Sequence, residues 1–367
     1  MPTPTPAPRK VALVLGGGGM KGFAHIGVLR ALEERGIRPS LFAGTSIGAL
    51  IAAAAVGGMS ADELARRAEF MRRRDVFRIN HLGMLMERMR SPSIYLGEPL
   101  RSVIDEVAPE GTFEELGAPL LVNTVDLERA TRVVWGLPGM RDVSIRDAVY
   151  ASCALPGFFP PAEVGGRICV DGGVIDNLPV AAAGLGMDLV IAVDVGSNDV
   201  RPMPRIAAQG FAAIYMRSGS TMMHQLQQLP LMRYGGPPML LIRPKVSPQW
   251  LSFAHTPANI REGYRATVKA LEHYDAYLEQ PPGVYPRKRM RLEVVRERCI
   301  RCGLCVALAP DAMRFDDDGT AVPTQRAFDW SGADGEFVHH CPTRAIEVTR
   351  LDLIAPDGAM EQLAGDD

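Results

Sequence analysis

The chain of 367 residues is long enough for two or three domains. Its 47% apolar and 22% charged residues are those of an ordinary packed globular protein. Forty Lys and Arg against 42 Asp and Glu leave a net charge of −2, so there is no basic excess for wrapping nucleic acid. The six cysteines are too few to staple a chain of this length, and four of them, Cys299, Cys302, Cys305 and Cys341, crowd into its last fifth.

Residues 1–9 are Pro-rich and polar, without the apolar stretch of a secretory signal, and are expected to be disordered. No run of about 18 uncharged apolar residues follows, so no transmembrane helix is expected. Residues 43–59 come nearest, but Gly44, Gly48, Gly57 and Gly58 interrupt them and a buried helix is the better reading. Together these features predict a cytoplasmic protein in which thiols stay reduced. The apolar run at 11–15 predicts a buried parallel strand, followed by a glycine loop and a helix to about Arg35. Further strands are expected at 40–43, 119–125, 131–135, 167–170 and 188–193, with helical patterns between most of them. Such alternation predicts a layered α/β domain with a mostly parallel sheet over residues 10–200. Residues 201–279 read as a helical extension, with helices at 205–229 and 257–279. Residues 280–289 read as a Pro-rich linker, 290–350 as a small separate domain and 351–367 as a tail.

Three motifs in the first domain carry chemistry. Gly44-Thr45-Ser46-Ile47-Gly48 fits G-x-S-x-G between a strand and a helix. Small neighbours permit the sharp turn that lifts a serine hydroxyl above the strand end, at the positive end of the helix. A plain Gly-rich connection is the alternative. Gly16 to Gly19, with Lys21 and Gly22, follow the first strand. As G-x-G-x-x-G they could bind a dinucleotide, yet the second strand ends at Ala43-Gly44 without the acidic residue that would hold a ribose. The other reading is an anion hole, in which backbone N–H groups of Gly17, Gly18 and Gly19 converge on one oxygen. Asp171-Gly172-Gly173 closes a later strand and could supply a base on the same sheet edge as Ser46.

In that order, Gly17-Gly18-Gly19-Met20-Lys21-Gly22, Gly44-Thr45-Ser46-Ile47-Gly48 and Asp171-Gly172-Gly173 resemble the patatin-like phospholipases, in particular their bacterial members. The flanks 24–29 and 151–161 also look like that family, and the resemblance covers about residues 10–195. It implies a three-layer α/β/α fold and hydrolysis of acyl esters, usually of lipids. It also implies a Ser46–Asp171 dyad without a catalytic histidine. A carboxylate with an ordinary pKa of about 3.9 is a weak base near neutral pH, so burial would have to raise it. A Ser-His-Asp triad is the runner-up, but His25 reads as a core or capping residue and His224, His255 and His273 lack the setting of a catalytic strand end. Residues 60–90 combine arginines such as Arg66, Arg72 and Arg88 with Met71, Met84, Met86 and Met89. They fit a lid resting on anionic lipid, giving peripheral membrane contact, or an ordinary helix with a solvated charged face.

Cys299-Ile300-Arg301-Cys302-Gly303-Leu304-Cys305 sets three thiols at three-residue spacing, and Cys341-Pro342 offers a fourth. This resembles bacterial ferredoxins, but Ala309-Pro310 stands where a second cluster's cysteine would be, so a single [4Fe–4S] cluster in a small α+β ferredoxin-like domain is implied. Its outer strands are expected at 291–295 and 345–349. Zinc is the rival, though its sites usually pair two short Cys knuckles or mix Cys with His. Cys153 and Cys169 read as buried inert thiols. Acidic residues after Asp311 would suit a basic redox partner protein, or are simply solvated. The second function class that remains is an iron–sulfur oxidoreductase or electron-transfer protein whose N-terminal domain binds a nucleotide.

Overall fold

The computed structural model describes residues 9–81, 92–196, 203–247 and 249–351. Nearly all of the stretch expected to be disordered lies outside the described residues, as do Met84, Met86, Arg88 and Met89 and the tail from 352. The chain divides into two compact units, Met1–Gly283 and Val284–Asp367.

The first unit is built around one sheet. Its strands are β1 (Val11–Leu15), β2 (Leu41–Thr45), β3 (Leu120–Asp126), β4 (Thr131–Trp135), β5 (Ala162–Val164), β6 (Arg167–Asp171), β7 (Leu189–Val193) and β8 (Pro238–Ile242). A short β9 (Gly283–Tyr285) lies at the junction. The helices are α1 (Ala24–Glu34), α2 (Ile47–Val56), α3 (Ala61–Phe70), α4 (Arg73–Val76), α5 (Glu98–Val107) and α6 (Ile145–Cys153). They continue with α7 (Val180–Ala183), α8 (Gly210–Met232), α9 (Thr256–Ala270) and α10 (Tyr274–Leu278). β3, β2, β1, β7 and β8 run parallel in that order. Every residue of β1, β7 and β8 is buried, which is why these strands read as unbroken apolar runs rather than alternating ones. The expected mostly parallel α/β architecture is therefore observed.

Two departures matter. β4 and β6 are antiparallel to β3, and β5 is antiparallel to β6. The stretch expected to be a helical extension also contributes β8, because Gly-Gly-Pro-Pro breaks the helical pattern just before a five-residue apolar run that lies parallel to β7.

The register around β3 positions the site. Along one edge β4 pairs with Val122 to Asp126. On the other edge β2 pairs with β3 from Leu120 to Asn123 and β6 pairs with it from Thr124 to Asp126. A strand has only two edges, so β2 and β6 share one and approach each other end to end. Thr45 lies opposite Asn123 and Asp171 opposite Thr124. The residue after Thr45 and the last residue of β6 therefore meet at one level of the sheet.

α3 buries Ala61, Leu64, Ala65 and Ala68 and leaves Arg66 and Arg67 outside, with Ser60 as its N-cap accepting from Glu63 N at 3.3 Å. This part of the Arg- and Met-rich segment is thus a helix with a solvated charged face. No helix among the described residues is long and apolar enough to cross a membrane.

The second unit is smaller. β10 (Lys288–Val294) pairs antiparallel with β13 (Phe328–Trp330) on one side and β14 (Ile346–Arg350) on the other, while β11 (Met313–Phe315) and β12 (Ala321–Pro323) form a hairpin. The expected pairing of the outer strands is present, with Leu292 opposite Val348. Helix α11 (Leu304–Leu308) begins directly after Gly303. The core is Leu292, Ala312, Met313, Ala321, Phe328, Phe337 and Ile346, with Cys299, Cys305 and Cys341 packed against it.

Candidate active site

Ser46 sits between β2 and α2 with φ 55° and ψ −130°, a backbone conformation that L side chains rarely adopt. Its neighbours must be glycine for steric reasons. A Cβ on Gly48 would lie 2.0 Å from the Leu15 carbonyl oxygen, and one on Gly44 would lie 2.5 Å from the Ala49 nitrogen. Ser46 N–H donates to Ser152 Oγ at 2.8 Å, and Ser152 Oγ donates to the Asn123 carbonyl at 2.7 Å. The turn is thus held by a hydroxyl from α6 that is anchored on β3.

Asp171 meets Ser46 across the end-to-end junction of β2 and β6. It is buried, accepts the Gly173 N–H at 2.8 Å and lines the same cavity as Ser46. Burial pushes its carboxyl up to about 6, against the opposing pull of the Gly173 N–H and the Ser46 side chain. That is the displacement toward neutral pH that a carboxylate base requires.

The glycine loop is fixed from both sides. Asn177 clamps Gly17, accepting its N–H at 3.0 Å and donating to its carbonyl at 2.9 Å. The N–H of Gly17 is therefore directed at the Asn177 side chain. Gly18 packs so closely on Val195 that a Cβ would lie 2.7 Å from its side chain. Gly19 has φ +58°, and a Cβ there would meet the Trp250 carbonyl oxygen at 2.4 Å. His25 is fully buried, and its Nε2 donates to the Gly16 carbonyl at 2.7 Å. Burial holds its pKa down at about 4, so the ring is neutral and serves as a support of the loop.

Ser46, Asp171, Gly18, Gly19 and the buried Lys21 open onto one cavity of about 720 Å³. Leu50, Met71, Phe77, Leu100, Phe159 and Trp250 are among its apolar walls. The aromatic part is interlocked, with Phe77 5.2 Å from Tyr95 and Phe158 5.4 Å from Trp250, centroid to centroid. On the other side α8 supplies Met216, Met223 and His224, and Gln227 donates to the Gly173 carbonyl at 3.1 Å. Beneath the site, Asp176 pairs with Arg132, and its other oxygen accepts the Leu178 N–H at 3.0 Å. Asp126 is held at about 2: burial opposes ionisation, but Arg129 at 3.0 Å and Arg167 at 3.1 Å overcome it.

Three participants escape the motif reading. Ser152 and Asn177 do their work through backbone groups of other motifs, so no spacing rule marks them. Cys153 lines the cavity beside Ser46, and burial, with the Asp171 charge beside it, pushes its thiol well above the usual range. Cys169 is buried in β6 as expected.

In the second unit all four late cysteines are free thiols. Burial raises Cys305, and its sulfur feels the charges of both Cys302 and Cys341. Cys341 Sγ accepts the Ala345 N–H at 3.3 Å; such donors, against the opposing effect of burial, hold its thiol below the usual range. Gly303 adopts φ 74°, and a Cβ there would strike the Phe315 ring at 2.8 Å. Among the described residues no group of three or more His, Cys, Asp or Glu is gathered as a site for one ion. A four-iron cluster takes one thiolate per iron, so its ligands stand farther apart than those of a single tetrahedral ion. The donor set, four thiols with backbone N–H groups directed at Cys305 and Cys341, suits such a cluster.

Residues 13–183 match the family described as patatin-like phospholipase, and residues 292–348 match the 4Fe-4S single cluster domain. An uncharacterized NTE family protein of Mycobacterium tuberculosis is 36% identical over 194 residues, 53% of this chain and 51% of that protein. Lysophospholipase NTE1 of Mycosarcoma maydis is 36% identical over 52% of this chain and 10% of its own length. Patatin-like phospholipase domain-containing protein 6 of Homo sapiens is 36% identical over 52% of this chain and 14% of its own. The chain thus spans about half the length of the mycobacterial relative and a small part of the other two.

Proposed function

We propose that the first unit is a serine lipid acyl hydrolase of the phospholipase A or lysophospholipase kind. One observation carries this reading: a serine on a strained turn and a buried aspartate whose pKa is raised to about 6 share the wall of one apolar cavity. The similarity to patatin-like phospholipases and to a lysophospholipase supports it.

Asp171 accepts the Ser46 hydroxyl proton while Oγ attacks the ester carbonyl. The N–H groups of Gly18 and Gly19 receive the developing oxyanion, and the glycines allow the backbone to approach it. Collapse of the tetrahedral species breaks the ester C–O bond, and protonated Asp171 returns its proton to the leaving alcohol. Water then attacks the acyl-serine with Asp171 again as base, which releases the fatty acid and restores Ser46. Removing a nucleophile or base of this kind costs on the order of 10³-fold or more in rate. A fluorophosphonate probe should label the wild type and not Ser46→Ala, and ester hydrolysis should disappear with the label. Labelling that survives Ser46→Ala would refute the assignment.

In the second unit Cys299, Cys302, Cys305 and Cys341 would hold a [4Fe–4S] cluster, supported by the single-cluster domain match and by the sulfur-directed N–H groups. Such a cluster supplies one-electron exchange. Acyl transfer moves no electrons, so a sensing or structural role fits better than a place in the reaction.

A further inference from the structure

Among the described helices of the first unit, α8 stands apart. Along its length Phe211, Ile214, Met222, Leu226, Leu229 and Met232 recur at three-, four- and seven- or eight-residue spacing, and all are exposed. Phe211 is 79% accessible, Met222 62% and Met232 55%. At 100° per residue these positions fall on one stripe of the helix. The opposite face carries Met223, His224 and Gln227 into the wall of the Ser46 cavity, and Gln227 is tied to the loop after Asp171. Met222 and Leu226 belong to both, so apolar surface runs without a break from the cavity to the outside of the helix.

The charge around this stripe is one-sided. Between Asp199 and Glu262 the chain contains no acidic residue, although the protein as a whole has a net charge of −2. The same interval carries Arg205, Arg233, Lys245 and Arg261, all exposed. Arg205 and Arg233 flank the two ends of α8 and the helix itself carries no acidic residue, so an apolar stripe with cations at its ends is complementary to an anionic lipid surface.

We infer that α8 is the membrane-docking element: its outer stripe enters the headgroup region of an anionic bilayer and brings the mouth of the cavity against the lipid. The inference rests on the lipid-hydrolase reading for its purpose, but it is measured by binding alone. Insertion requires no covalent step. Lipid leaving the bilayer then passes along Met222 and Leu226 toward Ser46 without crossing water.

The test is co-sedimentation of the full-length protein with vesicles of phosphatidylcholine, or of phosphatidylcholine mixed with phosphatidylglycerol. Wild type and Ser46→Ala should both pellet with the mixed vesicles and far less with phosphatidylcholine alone. Phe211→Asp combined with Met232→Asp should lower partitioning at least about tenfold, since apolar contact is lost and like charge is gained. The same double variant should hydrolyse p-nitrophenyl butyrate, a soluble ester, as wild type does. Phe211→Ser with Met232→Ser gives a milder version should the aspartates prevent folding. Vesicle binding equal to wild type in either folded variant overturns the inference while leaving the chemistry standing. So does a self-association that these substitutions break in a protein that ignores vesicles, since the stripe would then cover a second copy. Stripe-dependent vesicle binding by a protein that hydrolyses no ester at all would retain the docking surface and sink the hydrolase reading instead.

Discussion

β1 and β10 open the two units, and they are built differently. All five residues of β1 are buried between layers, whereas in β10 only Leu292 is buried while its neighbours face solvent. The first unit has an apolar core that runs from β1 through α9 to Leu271; the second has a core cluster of seven buried apolar residues with three cysteines packed against it. Small domains bury a smaller share of their surface and are often reinforced by a staple or a metal. The contrast predicts that one unit is held by its core while the other depends on its thiols.

The largest effect should come from breaking the second arrangement. Cys341→Ser is expected to remove the cluster's colour and to open residues beyond the linker to limited proteolysis, with hydrolysis of a soluble ester unchanged. A variant in which the second unit stays protease-resistant, or in which ester hydrolysis collapses, would erase the distinction between the units.

The next prediction sharpens the first unit's side of the comparison. Asp171 is raised from 3.8 to about 6, so its carboxyl favours the folded state when protonated. This contribution is complete below pH 3.8 and disappears as pH rises through about 6. Asp171→Asn should therefore abolish hydrolysis yet stabilise the protein at pH 8 by on the order of 1–3 kcal/mol, measured by urea titration. The gain should vanish below pH 4 (on the order of the free-chain value). In the wild type, kcat/KM should fall about tenfold per pH unit below about 6, as the base becomes protonated. A pH-independent stability difference would show that Asp171 is not the titrating group.

The smallest effect concerns the clamp. Asn177→Ala removes both hydrogen bonds to Gly17 and loosens the loop carrying Gly18 and Gly19. We expect kcat to fall roughly 10- to 100-fold with KM little changed, because the lost order matters to the oxyanion more than to the bound ester. A change confined to KM would place Asn177 in substrate binding instead.

Much of the first unit could be read directly from the sequence, because strands buried on both faces announce themselves as apolar runs. β1, β3 and β7 were found in this way within a residue at each end. β8 was hidden by the helical stretches around it, and five apolar residues cannot distinguish a strand from a buried helical turn. The direction of β6 was also invisible, since the pairing of β3 with both β2 and β6 on one edge is a property of the whole sheet. Ser46 and Asp171 were legible from their glycines. The reason they meet was not, nor was the direction of the Gly17 N–H, because it depends on an asparagine 160 positions away. In the second unit the cysteine spacing was the signal, while the hairpin of β11 and β12, each only three residues long, left no periodicity to detect.

The strained turn at Ser46 also bears on how such a protein can change over generations. The residues fixed by sterics are Gly44 and Gly48, which take no part in the chemistry. Ser46 itself projects into an open cavity, and its positive φ is more comfortable for glycine than for serine. Replacement of Ser46 by glycine therefore relieves the backbone instead of damaging it. Descendants that abandon catalysis have an easy route to becoming well-folded, inactive scaffolds that retain the cavity and the outer face of α8. Selection on the proposed nucleophile must then come from turnover alone, with no help from the need to fold.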